Sequence, residues 1–251
     1  MPAEESTPAI VLRARDYAES DRIVTLLTLD FGKLSGIAKG AKASRRRFER
    51  KLEPFSCVTL FFRRRPHGQL VFITRAEPGQ IAHPLIEDDL GKIALGSYML
   101  ELADALTTEE AEATSAYHVL ADALAALALR PASAALRHSY ELKLLRAAGY
   151  GLQFERCRLC ATDVASDAAA LYFVIARGGV VCMRCRPEAP EGAVRLDAAS
   201  AAALARLDRA PLEEAQALPG GSATAGLALS RFFSSILDRK LRSAEFLERV
   251  L

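Results

Sequence analysis

The 251-residue chain is 51% hydrophobic and 25% charged, the balance of a folded protein rather than a disordered one. No uninterrupted apolar run approaches the ~18 residues of a membrane helix. Residues 1–10 are acidic and short of apolar side chains, which reads against a secretory leader and for the cytoplasm. The formal net charge of +2 hides an asymmetry, because residues 1–81 net +6 and residues 82–251 net −4. Between Lys33 and Arg65, 11 basic residues face only Glu49 and Glu53. A field of that kind in a small module favours a polyanion, and nucleic acid is the commonest one.

The first third of the chain reads as strands. Residues 9–15, 23–29, 33–38, 55–65 and 70–75 are short runs rich in β-branched and aromatic side chains. In 55–65, Val58, Leu60 and Phe62 alternate with Thr59, Phe61 and Arg63; in 70–75, Leu70 and Phe72 oppose Val71 and Ile73. Asp30-Phe31-Gly32 and Pro66-His67-Gly68 supply turns. Five short strands point to a small barrel, and the common five-stranded one is the OB-fold. Residues 1–80 are therefore expected to form a nucleic-acid-binding domain.

Within it, the loop after the third strand is flexible and cationic. Lys39, Lys42, Arg45, Arg46, Arg47, Arg50 and Lys51 lie on it, and Arg63, Arg64 and Arg65 follow on the next strand. On a barrel face these side chains would neutralise phosphates without reading bases. Phe48, Phe61 and Phe62 are candidate stacking platforms, although each is more often core.

After Glu77-Pro78-Gly79 the periodicity turns helical, and residues 81–251 read as a helical domain. Leu95, Met99, Leu102 and Leu106 mark one helix; Tyr117, Leu120, Leu124 and Leu127 mark a second, stopped by Pro131. Leu136, Tyr140 and Leu144 mark a third, ending at Gly149. Glu87-Asp88-Asp89 and Glu109-Glu110 read as acidic first turns of helices. Asp197 is placed to cap a helix to about Arg209, and Leu229, Phe233 and Ile236 mark a last long one.

A four-cysteine lobe interrupts the helices at about 152–187. Cys157-x-x-Cys160 and Cys182-x-x-Cys185 flank a strand at 171–175 and a Gly178-Gly179 turn. Two such knuckles joined by a hairpin can place four thiolates around one structural Zn2+ at ~2.3 Å, a closed site with no position for water. Two disulfides, four buried thiols or an iron–sulfur cluster are the alternatives. The nearby Arg156, Arg158, Arg177, Arg184 and Arg186 read either as phosphate contacts or, the preferred reading, as solvating this lobe and offsetting its thiolates. The fifth cysteine, Cys57, reads as a small buried hydrophobe. The overall class is α+β. No phosphate loop, zincin or serine-hydrolase motif occurs, so nothing points to an enzyme.

Several further segments form a pattern: 17–28 (Tyr17-Ala18-Glu19-Ser20-Asp21-Arg22 onward), Gly32-Lys33-Leu34, 38–42, Arg47-Phe48, Leu52-Glu53-Pro54-Phe55, Gly149-Tyr150 before the two cysteine pairs, and 237–247. In this order and spacing they resemble the RecO family of bacterial DNA repair proteins. The sequence departs from the family in having Ala161 where a glycine usually follows the first pair, and Gly151-Leu152 where a proline is usual. The resemblance implies a recombination mediator that binds single- and double-stranded DNA and anneals strands. It further implies partnership with RecR and with the acidic tail of SSB, and help for RecA loading at the nucleoid. Arg137, Lys143, Arg231, Arg239 and Lys240 are candidates for the rim of an SSB-tail dock. A zinc-ribbon transcription factor is the alternative reading.

Overall fold

A computed structural model of the chain describes residues 3–44, 47–48, 50–65, 70–79, 89–109, 111–164, 170–188 and 192–251. Five strands, β1 (Glu5–Tyr17), β2 (Asp21–Thr28), β3 (Gly32–Ala38), β4 (Cys57–Arg63) and β5 (Val71–Pro78), close into a barrel in the order β1-β2-β3-β5-β4. The β3–β5 contact is parallel and short, Gly36 with Val71 and Ile37 with Phe72. A Cβ on Gly36 would come within 2.7 Å of Ile73, so only glycine lets the two strands meet there.

Alternation fills the barrel. Val11, Val24, Leu26, Leu34, Val58, Leu60, Phe62, Val71 and Ile73 point inward into one cluster. The other faces of β1 and β2 are buried too, because helices α1 (Leu90–Leu106) and α2 (Thr114–Leu129) pack on them. That is why apolar residues occupy both faces of 23–28. Asp89 caps α1 by accepting from the Lys92 N–H, as its acidic run foretold; Glu87 and Asp88 lie outside the described residues. Glu109 is not in a helical first turn. It bridges Lys33 and accepts from Ser35, and α2 starts five residues later without a side-chain cap. Its acidity is spent on tying the chain to β3.

Two compact units emerge from the backbone contacts. One is 1–131 with 243–250, and the other is 132–242 with the last residue. All five barrel strands end before residue 79, while α1 and α2 belong to the barrel's unit. The closing helix α7 (Arg242–Val250) joins that unit through Ser243, whose N–H and hydroxyl both donate to Glu101.

The second unit packs α3 (Ala134–Ala147), α4 (Ala198–Arg209), α5 (Leu212–Ala215) and α6 (Ala223–Ile236) beside a sheet ordered β7-β6-β8. The sheet strands are β6 (Leu171–Val174), β7 (Gly179–Val181) and β8 (Val194–Leu196). Gly149 ends α3 at φ 88°, with its N–H on the Arg146 carbonyl and that of Tyr150 on Leu145. This is the glycine stop expected from sequence. Asp197 caps α4 through the Ser200 N–H.

Candidate nucleic-acid interface and metal centre

The cationic loop between β3 and β4 is anchored rather than loose. Phe48 (3% exposed) and Leu52 (1%) plug the barrel core, so Phe48 is not a stacking platform, and neither is the buried Phe62. The loop is also hydrogen-bonded to the barrel, Lys42 N–H to Ser20 O, Gly40 N–H to Asp21 Oδ1, and Ala76 N–H to Arg47 O. Phe48 and Leu52 thus seat the loop in the barrel core on either side of Arg50 and Lys51, and the Arg47 carbonyl ties it to β5.

The cations fall into different states. Lys39 is exposed. Arg47 is exposed, donates to Lys39 O and Ser44 Oγ, and lies 4.9 Å over the Phe48 ring. Lys42 pairs with Asp16 at 3.0 Å. Arg50 is exposed with φ 50°, and Lys51 is half-buried. Arg45 and Arg46 lie outside the described residues. At the end of β4 and just past it, Arg63 and Arg64 meet the protein's own acids, Glu4 at 3.9 Å and Glu5 at 3.2 Å, while Arg65 beyond them is exposed.

Register relates these two groups. Ile37 of β3 and Arg63 of β4 stand opposite Phe72 from its two sides. The loop that follows β3 and the arginines that end β4 thus both border β5. Sequence reading missed Arg75 on that strand. It pairs with Glu4 at 3.4 Å and Glu77 at 3.1 Å and covers Phe61. Its only sequence signal was the position of one arginine in an alternating run.

The four paired cysteines converge. Their Sγ atoms all lie within 4.8 Å of one another, and Cys160 Sγ is 3.8 Å from Cys182 Sγ. A tetrahedron with ~2.3 Å metal–sulfur bonds has edges of about 3.8 Å, whereas a disulfide needs ~2.05 Å. The donor set therefore fits a tetrahedral metal ion, and all five cysteines are free thiols.

Local geometry builds each knuckle. Cys157 N–H donates to Thr162 O and Ala161 N–H to Cys157 O, a turn that requires φ 58° at Ala161. The missing glycine thus stands at a left-handed position, as its place in the motif implied. Gly178, also left-handed, closes the β6–β7 hairpin that delivers Cys182, and a 3-10 turn, Met183–Glu188, carries Cys185. The N–H groups of Leu159 and Cys182 both point at Cys157 Sγ, each at 3.4 Å.

The thiol acidities are split. Hydrogen bonding with the Thr162 side chain, with further backbone help, lowers Cys160 to about 6, while hydrogen bonding with Cys160 first and burial second push Cys185 up to about 12. Thiolates this close repel, so one keeps its proton unless a cation joins them. Of the nearby arginines, Arg158 donates to the Gly151 and Gly178 carbonyls, Arg184 to Thr162, and Arg186 covers Tyr172. Cys57 is half-buried, its thiol raised to about 12 by burial, far from reactive.

A cavity of about 650 Å³ opens in the second unit. Leu152, Val174, Phe232 and Ile236 give it an apolar wall, with Arg158 and Arg177 in the lining. Arg231 donates to the carbonyl of Gly192, which also lines it. Arg137 is paired with buried Glu141, Lys143 donates to Asp208 O, and Arg239 and Lys240 are exposed before α7.

A closed five-stranded OB-like barrel followed by helices and a four-thiol cluster defines a modular α+β protein of the nucleic-acid-handling kind. Family models agree in detail: "Recombination protein O N terminal" matches residues 1–82 and "Recombination protein O C terminal" matches 87–246. The chain is 37% identical to DNA repair protein RecO of Anaeromyxobacter sp. (strain Fw109-5) over 243 residues, 96% of this chain and 94% of the relative. It is 33% identical to that of Syntrophotalea carbinolica over 248 residues, 98% and 94% of the two chains. With Geobacter sulfurreducens RecO it shares 37% over 177 residues, 70% and 71%. The chain belongs to the RecO family of DNA repair proteins.

Proposed function

We propose that the protein is a recombination mediator without catalytic activity of its own. It holds single- and double-stranded DNA on the barrel, anneals complementary strands, and acts in the cytoplasm, at the nucleoid, with RecR to help RecA load on SSB-coated DNA. The observation that carries this is the cationic loop seated in the barrel core by Phe48 and Leu52 and tied to β5 through the Arg47 carbonyl. Lys39, Lys42, Arg45, Arg46, Arg47, Arg50, Lys51, Arg63, Arg64 and Arg65 are the proposed phosphate contacts. A surface that grips phosphates leaves bases free to pair, and two strands on one cationic surface repel each other less.

Cys157, Cys160, Cys182 and Cys185 are the proposed ligands of one Zn2+ per chain. Bound there, the ion supplies no chemistry beyond neutralising thiolates and stapling a lobe with little core. The apolar cavity with Arg158 and Arg177 in its lining is the proposed dock of the acidic SSB tail.

An annealing assay on SSB-coated complementary strands tests the reading. The wild-type chain accelerates annealing, and changing Arg45, Arg46 and Arg47 to Ala reduces it. A chain that anneals no faster than SSB-coated strands alone contradicts the mediator. Tight binding to one duplex sequence, undisturbed by random DNA, would instead support the transcription-factor reading.

A further inference from the structure

Strands β4 and β5 carry an aromatic pair on their outward face. The inward residues Leu60, Phe62, Val71 and Ile73 fill the barrel, which leaves Phe61 and Phe72 half-buried on the other side. A bulge sets what accompanies them. Phe62 pairs with Ile73, but Phe61 pairs with Arg75, so Thr74 is the extra residue, and its hydroxyl donates to Phe61 O. Without that insertion Arg75 would turn into the core; with it, its guanidinium stands 3.6 Å over the Phe61 ring. Arg63 stands opposite Phe72 on the neighbouring strand.

An anion already sits among these cations. The Glu4 carboxylate lies 3.4 Å from Arg75 and 3.9 Å from Arg63. The protein's own acid thus already pairs with both of the guanidinium groups beside the two rings. Aromatic rings interleaved with guanidinium groups are the surface that unpaired bases prefer, since every base offers a stacking face and every linkage a charge.

We propose that Phe61 and Phe72, with Arg75 and Arg63 between them, form a base-stacking step for single-stranded nucleic acid. The polymer's phosphates displace Glu4 and draw the Arg75 guanidinium off the face of Phe61 as it binds. This rests on the reading that the barrel holds nucleic acid, and it goes further, because phosphate contacts alone do not favour the single strand over the more densely charged duplex. Bases paired inside a duplex present no face to Phe61, so the step discriminates between the two polymers.

Phe61→Leu in the full chain tests this by fluorescence anisotropy with labelled oligothymidylate and with a duplex of equal length. The variant weakens single-strand binding by about fivefold or more. It leaves duplex binding and the salt slope of both polymers unchanged, because a neutral ring releases no counterions. Equal weakening on both polymers, or no weakening on the single strand, overturns the proposal. Phe61→Trp provides an independent readout, since the chain has no tryptophan of its own. Its emission is quenched by oligothymidylate and left unchanged by duplex; emission unchanged at saturating single strand overturns the stacking step. A wild-type chain that binds neither polymer overturns the DNA reading itself.

Discussion

Lys42 Nζ lies 3.0 Å from the carboxylate of Asp16, which also reaches Arg22 Nε at 3.3 Å. One exposed acid at the end of β1 thus masks a cation of the proposed DNA-binding loop. The hydrogen bond from Lys42, above all, holds the Asp16 carboxyl below its ordinary value of 3.8. A lowered pKa means the pair is intact above that value and is lost as pH falls through the lowered one. At neutral pH Asp16 is ionised and the pair can form. Asp16→Asn is therefore expected to raise affinity for oligothymidylate and to steepen its salt slope by up to about 0.7, one phosphate's worth. An unchanged slope would place Lys42 away from the polymer.

Freshly made protein is expected to carry about one zinc per chain by elemental analysis. Cys160→Ser is expected to lower the stability of the 132–242 unit by more than about 2 kcal/mol, a Tm drop on the order of 10 °C. Metal release should follow acidification, since protons compete for the thiolates. Protein free of metal and equally stable after chelation would contradict the cluster's role.

Ala161 carries a side chain at φ 58° within the first knuckle. A left-handed L-residue costs ~1–2 kcal/mol, part of which glycine gives back in chain entropy. Ala161→Gly is expected to stabilise the metal-bound chain by about 0.5–1 kcal/mol, read as a higher Tm. A lower Tm would mean that the alanine methyl contributes packing that outweighs the strain.

Asp197 accepts from Ser200 N–H at 2.7 Å and Ser200 Oγ at 2.9 Å, and these contacts lower its carboxyl pKa. Asp197→Ala should cost about 1 kcal/mol at pH 7. The sign follows from the lowered value: the cap stabilises above the ordinary carboxyl pKa and fades as pH falls through the lowered one. Wild type and variant should converge in thermal melts under acid, and a constant gap would argue that the cap works without its charge.

Local chemistry was legible in the sequence wherever it was sufficient. The alternation in 58–63 and 71–73, the glycine after α3, the Asp197 cap and the cysteine spacing each depend on neighbours a few residues away. What depended on closure was not. Glu4 and Glu5 meet arginines about sixty positions on because β1 pairs with β4. Glu109 resembled a helix start, yet its partner is on β3. Phe55 read as part of β4, but its φ of 71° bends the chain before Cys57 and sends the ring against Gly96 of α1. The four-cysteine cluster was the more legible site because its thiols come in two local pairs. The proposed nucleic-acid face is assembled from separate strands and a loop, and its composition was readable while its pairing was not.

The salt dependence of oligothymidylate binding, compared between wild type and the triple variant with Arg45, Arg46 and Arg47 changed to Ala, bears most directly on the cationic barrel. The plot of log affinity against log salt should be steep for the wild type. It should flatten by about 2 in the variant, at ~0.7 per lost phosphate contact, alongside a large loss of affinity. A variant with wild-type affinity and wild-type slope would show that the loop does not hold the strand.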